Sequence, residues 1–369
     1  MNSPNAQSDA PKNFDAKIAP RGTVIEADLA QIIGADLPWA ALAGKTVLVS
    51  GAAGFLPAYM VETMLYLNER QNKSNPTTVI ALVRNRERTL ERFAAYAGRA
   101  DLRLLVQDVC QPAQVNEDIH FFIHAASPAS PKFFGSDPAG TLSANVLGTF
   151  HLLNLAREKR AEAFLFFSSG EVYGRLAAVQ VPTKEADYGF VDPTDVRSCY
   201  AESKRLGETM CVAWAHQYGV PAKIVRPFHT YGPGMRLDDG RVFADFVADV
   251  VNHRNIVMAS DGSARRAFCY LAEAVAGFFT VLFKGAVAQA YNVGNDRGEL
   301  SILELARLLA GLHPGSPLEV VLDEAAKSPD YLKSKITRNC PDISKIRQLG
   351  WEPKVSASEG FQRTIQYYL

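Results

Sequence analysis

Residues 45–65 read KTVLVSGAAGFLPAYMVETML: a short β-branched apolar run, a turn holding Gly51 and Gly54, and a stretch with helical spacing. A strand feeding a helix through a glycine turn is the local design of a dinucleotide site, because glycine lets the backbone turn tightly and approach a pyrophosphate. The pyrophosphate then rests on the free N–H groups at the helix N-terminus. The third position of the G-x-x-G-x-x-G spacing is Pro57, which is tolerated in a first helical turn where its missing N–H is not needed.

Outward from this unit the same alternation repeats. TTVIALV (77–83), LRLLVQ (102–107), HFFIHAA (120–126), AFLFFSS (163–169) and AKIVRPF (222–228) are continuously apolar runs suited to strands buried on both faces. Between most of them lie helical stretches at 59–70, 87–98, 140–160 and 199–219. The order implies an α/β fold, a Rossmann-type doubly wound parallel sheet. After about Pro227 the regularity fades into turn-rich segments, so a smaller, mostly C-terminal α/β substrate domain is expected. The expected division is a tail and short amphipathic helix over 1–43, a dinucleotide-binding domain over 44–227 and a mainly substrate-binding part over 228–369. About 288–296, around Tyr291-Asn292-Val293, should return to the large domain.

Composition bounds the function. The 369 residues carry 39 Lys+Arg against 39 Asp+Glu, and a phosphate-backbone binder normally shows a basic excess, so nucleic acid is not the expected partner. Hydrophobic residues are 47% and charged residues 21%, the ordinary globular range. The first 20 residues read as a disordered tail without the apolar core of a signal peptide, and no run reaches a membrane span, so a cytoplasmic protein without membrane attachment is expected. Five scattered cysteines without a C-x-x-C pair read as reduced thiols, with no metal site.

Two further features carry chemistry. The second strand ends at Val83 and continues Arg84-Asn85-Arg86, with no acid to hold the ribose 2′-hydroxyl of NAD; a solvated basic loop and tolerance of NADP both fit, so the cofactor is NAD or NADP. Asp108-Val109, after the third strand, is placed to meet the adenine. Tyr200 and Lys204, four apart at the head of a helix, share one face. There the lysine charge, helped by a positive nicotinamide, should lower the phenol toward neutrality and make Tyr200 a general base.

At these residues the chain resembles the extended short-chain dehydrogenase/reductases that act on nucleotide sugars, and among them is most similar to UDP-glucuronate decarboxylases. The similarity runs over about 44–369 through HAASPASP (124–131), SSGEVYG (168–174), RSCYAESKRLGETM (197–210), TYGPGM (230–235), DDGRV (238–242), DGSARRAFCY (261–270) and PDISKIRQLGWEPKV (341–355).

The resemblance implies a catalytic set of Ser169, Glu171, Tyr200 and Lys204. It implies a tightly bound cofactor held by Gly51, Gly54, Phe55, Leu56, Arg84, Asp108, Val109, Ala125, Ala126, Ser127, Asn145, Tyr200, Lys204, Pro227 and His229. The nucleotide-diphosphate sugar would meet Ser127, Pro128, Glu171, Tyr200, His229, Arg241 (phosphate) and Arg266 (carboxylate). Hydride would pass from the sugar C4 to the cofactor while Tyr200 takes the hydroxyl proton; the 4-ketone then makes a C5 carboxylate a β-keto acid that readily loses carbon dioxide. The resemblance also implies a homodimer through helices including 140–158 and 198–218.

Three positions depart from that family. Gly170 stands where the decarboxylases usually have Ser and the related 4,6-dehydratases an Asp, which argues against dehydratase chemistry. His229 replaces an Asn and Gly234 an Arg. These changes motivate an alternative, a 4-epimerase or 4-ketoreductase on a different nucleotide-linked hexose. A cofactor-binding regulator without chemistry is set against the presence of Ser169, Tyr200 and Lys204 together.

Overall fold

In the computed structural model of the protein the described residues are 22–315, 317–323 and 336–369; the N-terminal tail expected over the first 20 residues lies outside them. Strands β1 (Thr46–Ser50), β2 (Thr78–Val83), β3 (Leu102–Val106), β4 (Phe121–His124), β5 (Ala163–Phe167) and β6 (Ala222–Pro227) form where the apolar runs lie. Ala290–Val293 (β10) adds a seventh, in the order β10-β6-β5-β4-β1-β2-β3. Every pairing in this sheet is parallel. The order reverses between β1 and β4, and in such sheets ligands bind beyond the carboxyl ends of the strands at that point.

The runs are apolar throughout because each strand supplies both faces of the sheet. Val47, Val49, Phe121, Ile123, Leu165 and Phe167 point into one core, which α2 (Phe55–Arg70) and α8 (Leu271–Lys284) cover. Their neighbours Leu48, Phe122, Phe164 and Phe166 point into the other, beneath α5 (Pro138–Glu158) and α6 (Ser198–Tyr218). Gly207 sets the depth of α6: a Cβ there would fall 2.3 Å from the Phe166 ring, so the helix lies close on β5 and brings the residues one and two turns earlier, Lys204 and Tyr200, to the end of that strand.

The expected short outer helix is α1 (Thr23–Ile33), which buries Ile25, Leu29 and Ile32. Its Asp28 is also fully buried, accepting hydrogen bonds from the Tyr59 and Tyr270 hydroxyls at 3.2 and 2.8 Å. The remaining strands build a small second sheet. β9 (Arg265–Tyr270) pairs with β7 (His229–Tyr231), β11 (Glu299–Ser301) and β13 (Arg338–Asn339), and α7 (Val242–Val251), α9 (Ile302–Gly311) and α11 (Ala357–Tyr368) complete that part. Among the described residues no helix is long and apolar enough to cross a membrane, and all five cysteines are free thiols.

Candidate active site

The phosphate loop follows β1. Gly51 has φ +66°, and a Cβ on it would lie 2.7 Å from the Cα of Ala126, so only glycine lets the loop pass over the end of β4. Gly54 is the N-cap of α2, with Phe55 and Leu56 as its first two residues. Ser50 ties the two strand ends at the switch point. Its hydroxyl accepts from the Ala125 and Ala126 N–H groups at 3.2 Å and therefore donates to Nδ1 of His124 at 2.7 Å. His124 then donates from Nε2 to Thr149 at 3.0 Å, and burial holds it down at about 3, a neutral bridge between sheet and α5.

A dinucleotide fits this crevice. The Gly51 cradle has no room for a side chain, the α2 N-terminus opens onto it, and beside it Ser127 Oγ and Asn145 Oδ1 are buried without hydrogen-bond partners among the described residues. Buried polar groups are normally satisfied, so such orphans are the groups a ligand would complete. Asn145 is held in place by its Nδ2, which donates to Ser203 at 2.9 Å. Val109 is buried against this region, close to Gly148, and Arg84 and Asp108 stand 3.8 Å apart at the ends of β2 and β3. Pro227 closes β6.

The catalytic side chains converge at the end of β5. Ser169 Oγ accepts from the Glu171 N–H at 3.2 Å, which leaves its own proton free to be donated. Tyr200 is 7% exposed and stacks on Phe134, centroids 4.9 Å apart. Lys204 Nζ donates to the Phe167 carbonyl at 2.7 Å and lies 5.8 Å from the centre of the Tyr200 ring.

Burial pushes Tyr200 up, the Ser169 hydrogen bond and the Arg241 charge oppose it, and the Glu171 charge adds to it. Burial also brings Lys204 itself down to about 7, because an ammonium out of water is disfavoured. Within the protein alone, burial is the largest influence on both groups.

The residues expected to meet the substrate come from the loop after β4, from β7 and β9, and from the N-cap of α7. Arg241, at the N-cap of α7, pairs with Asp239 at 3.1 Å and donates to the Ala129 carbonyl at 3.1 Å; with Ser130 bonding the Asp239 carbonyl at 2.5 Å, the 127–131 turn and the 238–241 turn are stitched together. Pro128 lies within that turn. Arg266, on β9, is anchored through Nη1 and Nη2 to the carbonyls of Arg265 and Ile336, both at 2.7 Å. His229 sits edge-on to Phe243 and Phe268. Burial, with the Arg266 and Arg241 charges, holds it down at about 3, and its hidden Nδ1 has no hydrogen-bond partner among the described residues.

Two contributors were not among the expected site residues, although Arg197 and Glu208 lie within the 197–210 stretch. Arg197 reaches Glu171 at 3.3 Å, although the two are 26 residues apart. Behind Ser169, Arg226 grips Glu208 with two hydrogen bonds of 2.8 and 2.6 Å while Ser168 donates to the same carboxylate at 2.5 Å. Tyr173, bonded to Arg226 and Asn292, completes a buried brace under the SSGEVYG turn. A separate groove of about 950 Å³, bordered by Lys184, Glu185, Arg205 and Lys345, holds none of the catalytic side chains.

Residues 47–294 match the NAD dependent epimerase/dehydratase family. UDP-glucuronic acid decarboxylase 3 of Arabidopsis thaliana is 34% identical over 316 residues, covering 85% of this chain and 86% of the relative. UDP-glucuronic acid decarboxylase 1 of Xenopus tropicalis is 34% identical over 326 residues, covering 88% and 72%. Among solved structures, an epimerase from Methanothermobacter thermautotrophicus superposes with a TM-score of 0.75 at 23% identity, covering 94% of this chain and 95% of that one. The UDP-glucuronic acid 4-epimerase of Bacillus cereus, solved with UDP-glucuronic acid and NAD, gives 0.70 at 21% identity, covering 88% and 98%. These two share the fold.

Proposed function

This chain belongs to the NAD dependent epimerase/dehydratase family, and we propose that within it the protein is a nucleotide-sugar decarboxylase of the UDP-glucuronate type that works by oxidising the sugar at C4. The observation that carries this reading is the burial of Tyr200, 7% exposed and stacked on Phe134, with the Lys204 ammonium 5.8 Å from the centre of its ring and Ser169 at the end of β5.

When bound, the nicotinamide dinucleotide supplies a hydride acceptor and donor. Gly51, Gly54 and the α2 N-terminus would hold its pyrophosphate, and Ser127 and Asn145 offer it their unpartnered oxygens. Tyr200 is placed to take the proton of the C4 hydroxyl, with Ser169 donating to the same oxygen. Lys204 offsets charge on the phenol from the next helical turn. Arg241 is a bidentate donor for a diphosphate, and Arg266, fixed by its carbonyl partners, for the C5 carboxylate. Glu171, oriented by Arg197, is the remaining acid/base group. The exposed Leu142, Leu147 and Phe150 on α5 with Leu206 and Val212 on α6 support a homodimer across these helices.

Purified protein incubated with UDP-glucuronate and either NAD or NADP should release carbon dioxide and a UDP-pentose; a flat time course with both, cofactor being bound, would sink the reading. The second reading, a 4-epimerase or 4-ketoreductase, is favoured by Gly170 and His229. A Cβ at Gly170 would meet the Phe228 ring at 3.4 Å, ordinary contact, so the backbone does not require glycine there and the missing hydroxyl is a chemical change. That reading requires turnover of a nucleotide-linked hexose without loss of carbon dioxide.

A further inference from the structure

The family description names NAD, yet the end of β2 in this chain lacks the group that selects it. We infer that Arg84 makes this protein take the 2′-phosphorylated dinucleotide, NADP, in preference to NAD; the inference rests on the dinucleotide reading of the same crevice. Register places the residue. Ser50 pairs with Leu82, and the Gly51 N–H donates to the Leu82 carbonyl at 2.9 Å, so Val83 and Arg84 leave the sheet alongside the phosphate loop. In βαβ dinucleotide sites the adenosine ribose lies over this strand end, where an acid accepts from its 2′-hydroxyl or an arginine meets a 2′-phosphate.

Here the strand ends in Val83, which is buried and whose side chain cannot accept a hydrogen bond. Arg84 follows at once, exposed, and Arg86 and Arg88 project from the next turn, both also exposed. The acid that faces Arg84 is Asp108, at the end of the next strand. It accepts the Cys110 N–H at 2.8 Å and lies 3.8 Å from Arg84, with the two side chains 45% and 70% exposed. So open a pair is weak, and a phosphate dianion, able to take two parallel N–H bonds from the guanidinium, displaces it. An unphosphorylated ribose finds no carboxylate at the strand tip and gains nothing from Arg84.

The test is calorimetric titration of the purified protein with NAD⁺ and NADP⁺, and with AMP and adenosine 2′,5′-bisphosphate as probes of the adenosine end alone. The 2′-phosphate should tighten binding about tenfold or more in both pairs, the effect of one hydrogen-bonded charge pair. Arg84→Gln should abolish that increment while leaving NAD⁺ and AMP within about twofold of wild type, and Val83→Asp should turn the preference toward NAD⁺. Where cofactor co-purifies, the mass of the released dinucleotide should be that of NADP(H). Equal or tighter binding of NAD⁺, co-purified NAD(H), or equal weakening of all four ligands by Arg84→Gln overturns the inference alone. Binding of neither dinucleotide overturns the cofactor reading together with it.

Discussion

Lys204 lies one turn beyond Tyr200 on α6 and brings its ammonium to 5.8 Å from the centre of the phenol ring, while its hydrogen bond goes to the Phe167 carbonyl at 2.7 Å. The lysine is fixed in place by the end of β5, and the proposed mechanism gives it an electrostatic role on the phenol. Lys204→Met keeps the chain length and removes the charge. It should lower kcat by roughly a hundred- to ten-thousandfold, the range of a lost acid–base contribution, with the far-ultraviolet circular dichroism unchanged. Turnover within a few-fold of wild type would remove Lys204 from the mechanism.

The brace under the catalytic turn has a stability signature. Arg226 is buried, with its side chain 2% exposed, and Glu208 is its charge partner. Glu208→Gln leaves that guanidinium inside the protein without its counter-charge, which should lower the unfolding free energy by about 3–5 kcal/mol in urea titrations. It should also slow turnover, because Ser168 loses an anionic acceptor beside Ser169. A loss below about 1 kcal/mol would show that the pair is replaceable.

Asp28 makes stability depend on pH. Burial raises its carboxyl from 3.8 to about 6, so the folded protein holds the proton more tightly than the unfolded chain. The stabilisation this gives is fully present below the unfolded value and is lost as pH rises through the folded one. Asp28→Asn removes the titration. Its stability relative to wild type should climb by about 3 kcal/mol, two pKa units, between about pH 4 and pH 7. A difference constant with pH would contradict the raised carboxyl.

Gly51→Ala tests the phosphate loop. The added Cβ meets the backbone of Ala126 at 2.7 Å on a residue with φ +66°, so the loop must shift or strain. Dinucleotide affinity should fall by about tenfold or more, and stability by about 1–3 kcal/mol, read by calorimetry and thermal unfolding. Unchanged affinity would place the pyrophosphate elsewhere.

What could be read from the chain alone divides along physical lines. The strands β1 to β6 were legible because a strand buried on both faces must be apolar throughout, and Tyr200 and Lys204 because helical periodicity fixes which residues share a face. The brace was not: Glu208 reads as an ordinary polar position on α6, and Arg226 as an unexplained charge within an apolar run, until the sheet sets them together. Asp28 looks like the solvent side of an amphipathic helix, yet its partners Tyr59, Tyr270 and Arg363 come from three distant elements.

The central claim is that Tyr200 takes a proton from the C4 hydroxyl as the sugar is oxidised. Its most direct test is rapid mixing of the protein, loaded with whichever dinucleotide it binds more tightly, with UDP-glucuronate while following the near-ultraviolet absorbance of reduced nicotinamide and the release of carbon dioxide, in wild type and in Tyr200→Phe. The account predicts reduced nicotinamide no later than carbon dioxide in the wild type, and neither in Tyr200→Phe despite retained cofactor. Carbon dioxide released without reduction of the cofactor, or a Tyr200→Phe enzyme turning over at the wild-type rate, would contradict it.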